Sequence, residues 1–251
     1  MDGVLYHGEK VIPEAIGFMS AIEHMPHAFI TNNPILPAES IADRLEGLGF
    51  SRPDEQQIIT SAEATALWLS QQKANFRYYA VGAEGLHIAL CQHGIEDSQL
   101  ADYVVIGEGA GIDYDAITIG TNLVLKQGAR LVCTNPDHSV DAFFQGKHCV
   151  LPGGGALVAP FAIATETEPV YIGKPHALLY EIAMERLCVT PNQCLMVGDR
   201  PDTDIAGAAA LGMKTALVRT GRFLPGIPLP DHLPAPDWDV ESLAQLLMIV
   251  H

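Results

Sequence analysis

Short apolar runs closed by polar turns alternate with stretches of helical periodicity along most of this chain, and that alternation limits the fold more than any other feature. His27 to Ile30 reads as a buried strand ending at Thr31-Asn32-Asn33-Pro34, and Ile58 to Thr60 as a brief second one. Helices are expected over Pro13 to His24, Pro37 to Leu48 and Ser61 to Gln71, the last with Ser61 as its N-cap. The pattern restarts at Asn75, with strands at Phe76 to Val81, Tyr103 to Ile106 and Arg130 to Cys133 and helices at Gly85 to His93 and Asp113 to Gln127. Later strands fall at Pro169 to Ile172, Cys194 to Val197 and Thr215 to Val218. Helices are expected at His176 to Leu187, Asp204 to Leu211 and Val240 to Ile249, and a proline-rich surface loop at Leu224 to Pro236. Strand and helix in turn predict an α/β fold with a parallel sheet, and the restart at Asn75 predicts a second α/β unit.

Charge narrows the partners. Thirty acidic against fourteen basic residues leave a formal charge of −16, which repels nucleic acid and anionic membrane. An anionic substrate would need a local cation, and a divalent metal would serve. The five cysteines are scattered without C-x-x-C spacing, so neither a disulfide framework nor a zinc site is indicated, and a reducing cytoplasm is expected. No apolar run reaches membrane-spanning length, and no basic-then-apolar leader opens the chain.

Chemistry-bearing residues gather at the ends of the apolar runs. Asp199, Asp202 and Asp204 follow Cys194 to Val197, where close carboxylates repel unless a cation sits among them. Mg²⁺ takes a few carboxylates plus water and phosphate oxygens, so the cluster suits it; helix capping is the competing and compatible use. Lys174, between Gly173 and Pro175, can neutralise phosphate or damp carboxylate repulsion, or stand solvated in a turn. Thr31 and the following amides could cradle phosphate or simply cap a helix, with Asn32 and Asn33 bracing the turn. Gly107-Glu108-Gly109-Ala110-Gly111 lacks the sixth-position glycine of a dinucleotide loop, where Ile112 stands. Gly153-Gly154-Gly155 lacks the Lys-Ser/Thr of a Walker loop and reads as a close backbone approach to a ligand or a neighbouring strand.

Taken together, Asp2-Gly3-Val4-Leu5, Thr31-Asn32-Asn33, Gly173-Lys174-Pro175 and Gly198-Asp199 to Thr203-Asp204 resemble, in order and spacing, the motifs of the haloacid dehalogenase (HAD) superfamily. Thr134-Asn135-Pro136-Asp137 and Pro152-Gly153-Gly154-Gly155-Ala156 are similar to signatures of its NagD-like (class IIA) phosphatases. The resemblance implies a HAD-like Rossmann-type core of about residues 1–73 and 169–251 and an inserted α/β cap of about 74–168. It implies Mg²⁺-dependent hydrolysis of a small phosphorylated metabolite, with Asp2 as acid/base, Lys174 and Thr31 on phosphate, and Asp199, Asp204 and Asp2 at the metal. Asn32, Asn33, Asn135, Asp137 and Gly154 are the further candidates for substrate contact, with support of the core-cap hinge as the other role of the cap-proximal ones. Dimers formed through the cap occur in similar proteins.

In the family pattern Asp-x-Asp-Gly, Asp2 matches the second aspartate, and the nucleophile would fall directly before Met1. Loss of a nucleophile costs on the order of 10⁶ in turnover, so a chain without it is expected to be nearly inactive. Its central strand would be missing too, which predicts poor folding. An internal methionine taken for the start, a trimmed chain, or a non-catalytic phosphometabolite-binding relative would each account for this, and the first is favoured because every other catalytic residue is retained.

Overall fold

The computed structural model describes residues 1–144 and 147–250. It comprises two compact units, Met1–Ile30 with Ala42–Ile58 and Lys174–His251, and Thr31–Ile41 with Ile59–Gly173. Compared with the expected limits of 1–73 with 169–251 and 74–168, the second unit also takes in Thr31–Ile41, 59–73 and 169–173. Packing explains the difference: the helix Ser61–Gln72 lies against the helix Glu84–Cys91, and Val170–Tyr171 pairs with Arg130–Cys133.

The second unit is built on a five-stranded parallel sheet. Its order is Val170–Tyr171, Arg130–Cys133, Tyr103–Ile106, Arg77–Val81 and Ile95–Glu96. Tyr103–Ile106 is buried throughout, as a central strand covered on both faces must be. The helix Tyr114–Gln127 covers it because Asp113 caps the first turn, accepting from the Ala116 N–H at 2.8 Å, and because Ala116, Leu123 and Val124 recur on one face. Phe161, from the helix Gly154–Thr165, completes this core beside Val104 and Ile106. Each such large apolar side chain stabilises the fold by about 1.5–3 kcal/mol relative to exposure. An antiparallel hairpin, Ser139–Phe144 with Lys147–Pro152, was not expected; its described side chains are half-buried or exposed.

In the first unit Leu195–Gly198, Lys214–Val218 and Trp238–Val240 form a parallel ladder. Phe29–Thr31 and Ile58–Thr60 form a ladder of their own, and the boundary between the units runs through both strands. Two expected helices change. Residue 240 ends a strand, with the helix starting at Leu243, and Asp204 lies in a wide five-residue π turn, Pro201–Ile205, ahead of Ala206–Ala210. Among the described residues no helix is long and apolar enough to cross a membrane.

Candidate active site

The first unit brings the N-terminal turn, Lys174 and the acidic cluster together. Gly3 adopts φ 76°, and its N–H bonds the Tyr6 carbonyl at 2.9 Å. A side chain at Gly3 would strike the Asp199 carboxylate, so the turn needs glycine for both its conformation and its closeness to Asp199. The strand Leu195–Gly198 delivers Asp199, whose Oδ2 accepts from the Arg222 N–H at 3.2 Å. Lys174 Nζ donates to Asp204 Oδ1 at 2.6 Å, with side chains only 10% and 6% exposed. Asp204 Oδ2 accepts from the Arg200 N–H at 3.2 Å, which closes the π turn. Tyr180 sets the depth of that turn by donating to the Thr203 carbonyl at 2.8 Å from the helix Leu178–Leu187.

Burial, and then the Asp204 charge, push the Asp199 carboxyl up to about 6. Burial opposes ionisation of Asp204 as well, yet the Lys174 ammonium holds it below the usual carboxylate range. The α-amino group of Met1 is buried within electrostatic reach of Lys174, Asp204 and Asp199, and burial and then Lys174 lower its pKa. Asp2 is placed differently: its side chain is 53% exposed and lies 3.6 Å from His7 Nδ1. A cavity of about 320 Å³ opens beside Asp199, with Arg200, Arg222, Phe223 and His232 among its walls.

Among the described residues no three His, Cys, Asp or Glu side chains form a metal cage by themselves. Mg²⁺ asks for less, one or two carboxylates completed by water and phosphate oxygens. Asp199 and Asp204 are oxygen donors, and the buried Asp199 carboxylate is destabilised by its own neighbour, so the residues present fit this ion. Of the three expected metal ligands, Asp199 and Asp204 come together while the Asp2 carboxylate faces His7.

The second unit gathers Asn32, Asn135, Asp137 and Gly154 into one largely buried polar network, while Thr31 and Asn33 make local bonds in a more exposed turn. Asn135 Nδ2 donates to the Asn32 carbonyl and to Glu108 Oε1, both at 2.8 Å. Asn135 Oδ1 accepts from the N–H groups of Asp137 at 3.1 Å and Gly154 at 3.2 Å. Asn32 Nδ2 in turn donates to Asp137 Oδ2 at 2.8 Å. Thr31 Oγ1 accepts from the Asn33 N–H at 3.2 Å, and Asn33 Oδ1 from the Ile35 N–H at 2.8 Å, so Asn33 braces its own turn as its residue type suggested. Side chains at Gly153, Gly154 or Gly155 would run into the carbonyls of Asp137, Asn135 and Pro136, and these glycines therefore serve a close approach to the 135–137 segment. Ser61 is not the N-cap: Thr60 is, accepting from Glu63 N–H at 3.1 Å, while the Ser61 hydroxyl donates to the Asn32 carbonyl at 2.5 Å.

Sequence reasoning missed Glu108 and Tyr180. Glu108 was visible only inside a glycine run set aside as a failed dinucleotide loop, and Tyr180 only as one more apolar position of a helix. Glu108 is 3% exposed, and burial, less the Asn135 hydrogen bond, pushes its carboxyl up to about 7.

Comparisons with known proteins identify the family and the fold. Residues 1–96 match the family model described as haloacid dehalogenase-like hydrolase, and residues 171–246 match a HAD-hydrolase-like model. The 5'-nucleotidase YutF of Bacillus subtilis is 35% identical over 225 residues, covering 88% of this chain and 85% of the relative. An acid sugar phosphatase of Staphylococcus haemolyticus is 33% identical over 88% of this chain and 83% of its own length. Among solved structures, NagD from the E. coli K-12 strain superposes with a TM-score of 0.84 at 28% identity, over 98% of this chain and 95% of that one. The chain belongs to the haloacid dehalogenase-like hydrolase family, as a NagD-like member with that family's Rossmann-like α/β core and cap.

Proposed function

We propose that this protein is a cytoplasmic, Mg²⁺-dependent phosphatase that hydrolyses a small phosphate monoester through an aspartyl-phosphate. The observation that carries this reading is the buried Lys174–Asp204 pair beside Asp199, packed under the Asp2-Gly3 turn. Cation and carboxylates buried together suit a dianionic substrate, whose transfer depends mainly on positioning and charge neutralisation. The names of the relatives, a 5'-nucleotidase and an acid sugar phosphatase, support the same class of reaction.

Asp199 and Asp204 would hold the metal, which when bound would neutralise phosphate charge, while the Asp2 carboxylate, turned towards His7, is left for proton transfer. The family pattern Asp-x-Asp-Gly assigns the role of nucleophile to an aspartate one position before Met1. Its carboxylate oxygen forms the bond to phosphorus as the ester P–O bond breaks, and Asp2 gives its proton to the departing oxygen. Asp2 then takes a proton from water as that water attacks phosphorus and frees the aspartate. Lys174 screens the developing charge. Thr31 and the amides after it hold the phosphoryl oxygens, while Asn32, Asn135, Asp137 and Gly154 brace that loop from their buried network. The core corresponds to about 1–73 and 169–251 and the cap to about 74–168.

Phosphate release from p-nitrophenyl phosphate and a panel of small phosphate monoesters, with Mg²⁺, tests the proposal on this chain and on one carrying an aspartate before Met1. Turnover by the extended chain is expected. Inactivity of both across the panel would replace the proposal with a non-catalytic phosphometabolite-binding role.

A further inference from the structure

We propose that Glu108 is a positioning residue that, through Asn135, fixes the Thr31–Asn33 loop. The functional weight of the loop rests on the phosphatase reading; the mechanical link does not. Glu108 follows the central strand Tyr103–Ile106 and is tied there by its backbone, since its carbonyl accepts from the Ala83 N–H at 2.8 Å. From that anchor its Oε1 accepts from Asn135 Nδ2 at 2.8 Å, and the same amide nitrogen donates to the Asn32 carbonyl at 2.8 Å. Asn32 is thus gripped between Asn135, the Ser61 hydroxyl and Asp137 Oδ2.

Asn135 is fully buried, and its orientation decides the arrangement. Its Oδ1 side is fixed by two backbone N–H groups, so the Nδ2 side must find acceptors, and those acceptors are Glu108 and Asn32. Remove the Glu108 acceptor and the amide keeps one partner for two protons in a buried site. Among the described residues no cation bonds Glu108. It also accepts from the Gly154 N–H, and the titratable groups facing it are Asp137 and the Cys133 thiol. Burial, less the Asn135 hydrogen bond and with the Asp137 charge added, pushes the carboxyl up to about 7, and its ionised form is the stronger acceptor for Asn135. While the carboxyl stays buried, the grip on Asn32 is expected to tighten as pH rises through that range, even as openings that expose Glu108 become easier.

Hydrogen exchange of the Asn33 and Ile35 amides, corrected for intrinsic rates, reads the loop directly in the full chain, and inorganic phosphate binding reads its consequence. Glu108→Leu keeps bulk without an acceptor and Glu108→Gln keeps an acceptor without titration. Glu108→Leu is expected to speed exchange on the order of tenfold, the worth of one buried hydrogen bond, and Glu108→Gln is expected to stay near the parent. In the parent, protection of these amides should rise with pH across neutrality, and in Glu108→Gln it should not. Unchanged exchange in folded Glu108→Leu overturns the proposal. Should that variant fail to fold, a pH dependence in Glu108→Gln equal to the parent's overturns it as well. Faster exchange with phosphate binding unaffected supports the link and counts against the phosphate role of the loop instead.

Discussion

Lys174 is held in the first unit by a carboxylate it cannot lose cheaply. Its 2.6 Å bond to Asp204 lies almost out of solvent, and Asp199 stands by with a carboxyl already pushed up to about 6. Replacing Lys174 with Met leaves a buried negative charge without its partner. Urea denaturation at neutral pH should show a loss of about 3–5 kcal/mol, the usual cost of breaking a buried pair from one side. A loss within the range of an exposed pair, about 0–1 kcal/mol, would mean the pair is solvated in solution. Glu108 gives a prediction of opposite form. Its folded-state value of about 7 lies above the ordinary 4.5, so the folded protein keeps a proton that the unfolded chain releases. The associated stability is full below about 4.5 and is lost as pH rises through about 7. Glu108→Gln should remove that slope, so that the difference between parent and variant changes by about 3 kcal/mol from pH 4 to pH 8, at about 1.4 kcal/mol per pH unit. Parallel stability curves would contradict the burial of a carboxyl with neutral hydrogen-bond partners here.

Elements differ in how far local residues determine them. Tyr103–Ile106 and Arg130–Cys133 have the expected bounds because their apolar runs and flanking breaks decide the matter locally. The helix Tyr114–Gln127 was legible from Asp113, whose cap bond is local, and Asp113→Ala should cost about 1 kcal/mol in a thermal or urea melt. The hairpin Ser139–Phe144 with Lys147–Pro152 was not legible, since its described side chains bury no consistent face and its strands are held by pairing with each other. Trp238–Val240 became a strand by joining Lys214–Val218, a partner the local sequence does not name. At the candidate site, Lys174 and Asp199 were readable because each ends an apolar run, and Asp204 because it falls in the acidic cluster just after one. Glu108 was not, because its importance comes from Asn135, 27 positions away and brought close only by parallel pairing. The glycine segment tests the packing account of these elements. Gly153→Ala should destabilise by about 1–3 kcal/mol through its clash with Asp137, whereas Gly17→Ala, in a helix with open space around its Cα, should be neutral or stabilising by about 0.5–1 kcal/mol. Equal effects at the two positions would contradict the close approach of 153–155 to 135–137.

For the whole molecule, the acidic cluster and Lys174 lie in one compact unit and the Thr31–Asn33 loop and its buried brace in the other. A chain of net charge −16 gives an anion no general attraction, so under the proposed function a phosphate ester would be bound by Lys174, backbone N–H groups and a divalent cation. Cation-dependent turnover is then expected, and a mutation at Asp199 should weaken cation binding. The most direct measurement is inorganic phosphate release from p-nitrophenyl phosphate by the chain extended with an aspartate before Met1, in Mg²⁺ and after its removal by chelation, beside Asp199→Asn. The account predicts turnover in Mg²⁺ that chelation abolishes, restored Mg²⁺ recovers and Asp199→Asn largely loses. Turnover indifferent to chelation and to Asp199→Asn would contradict it.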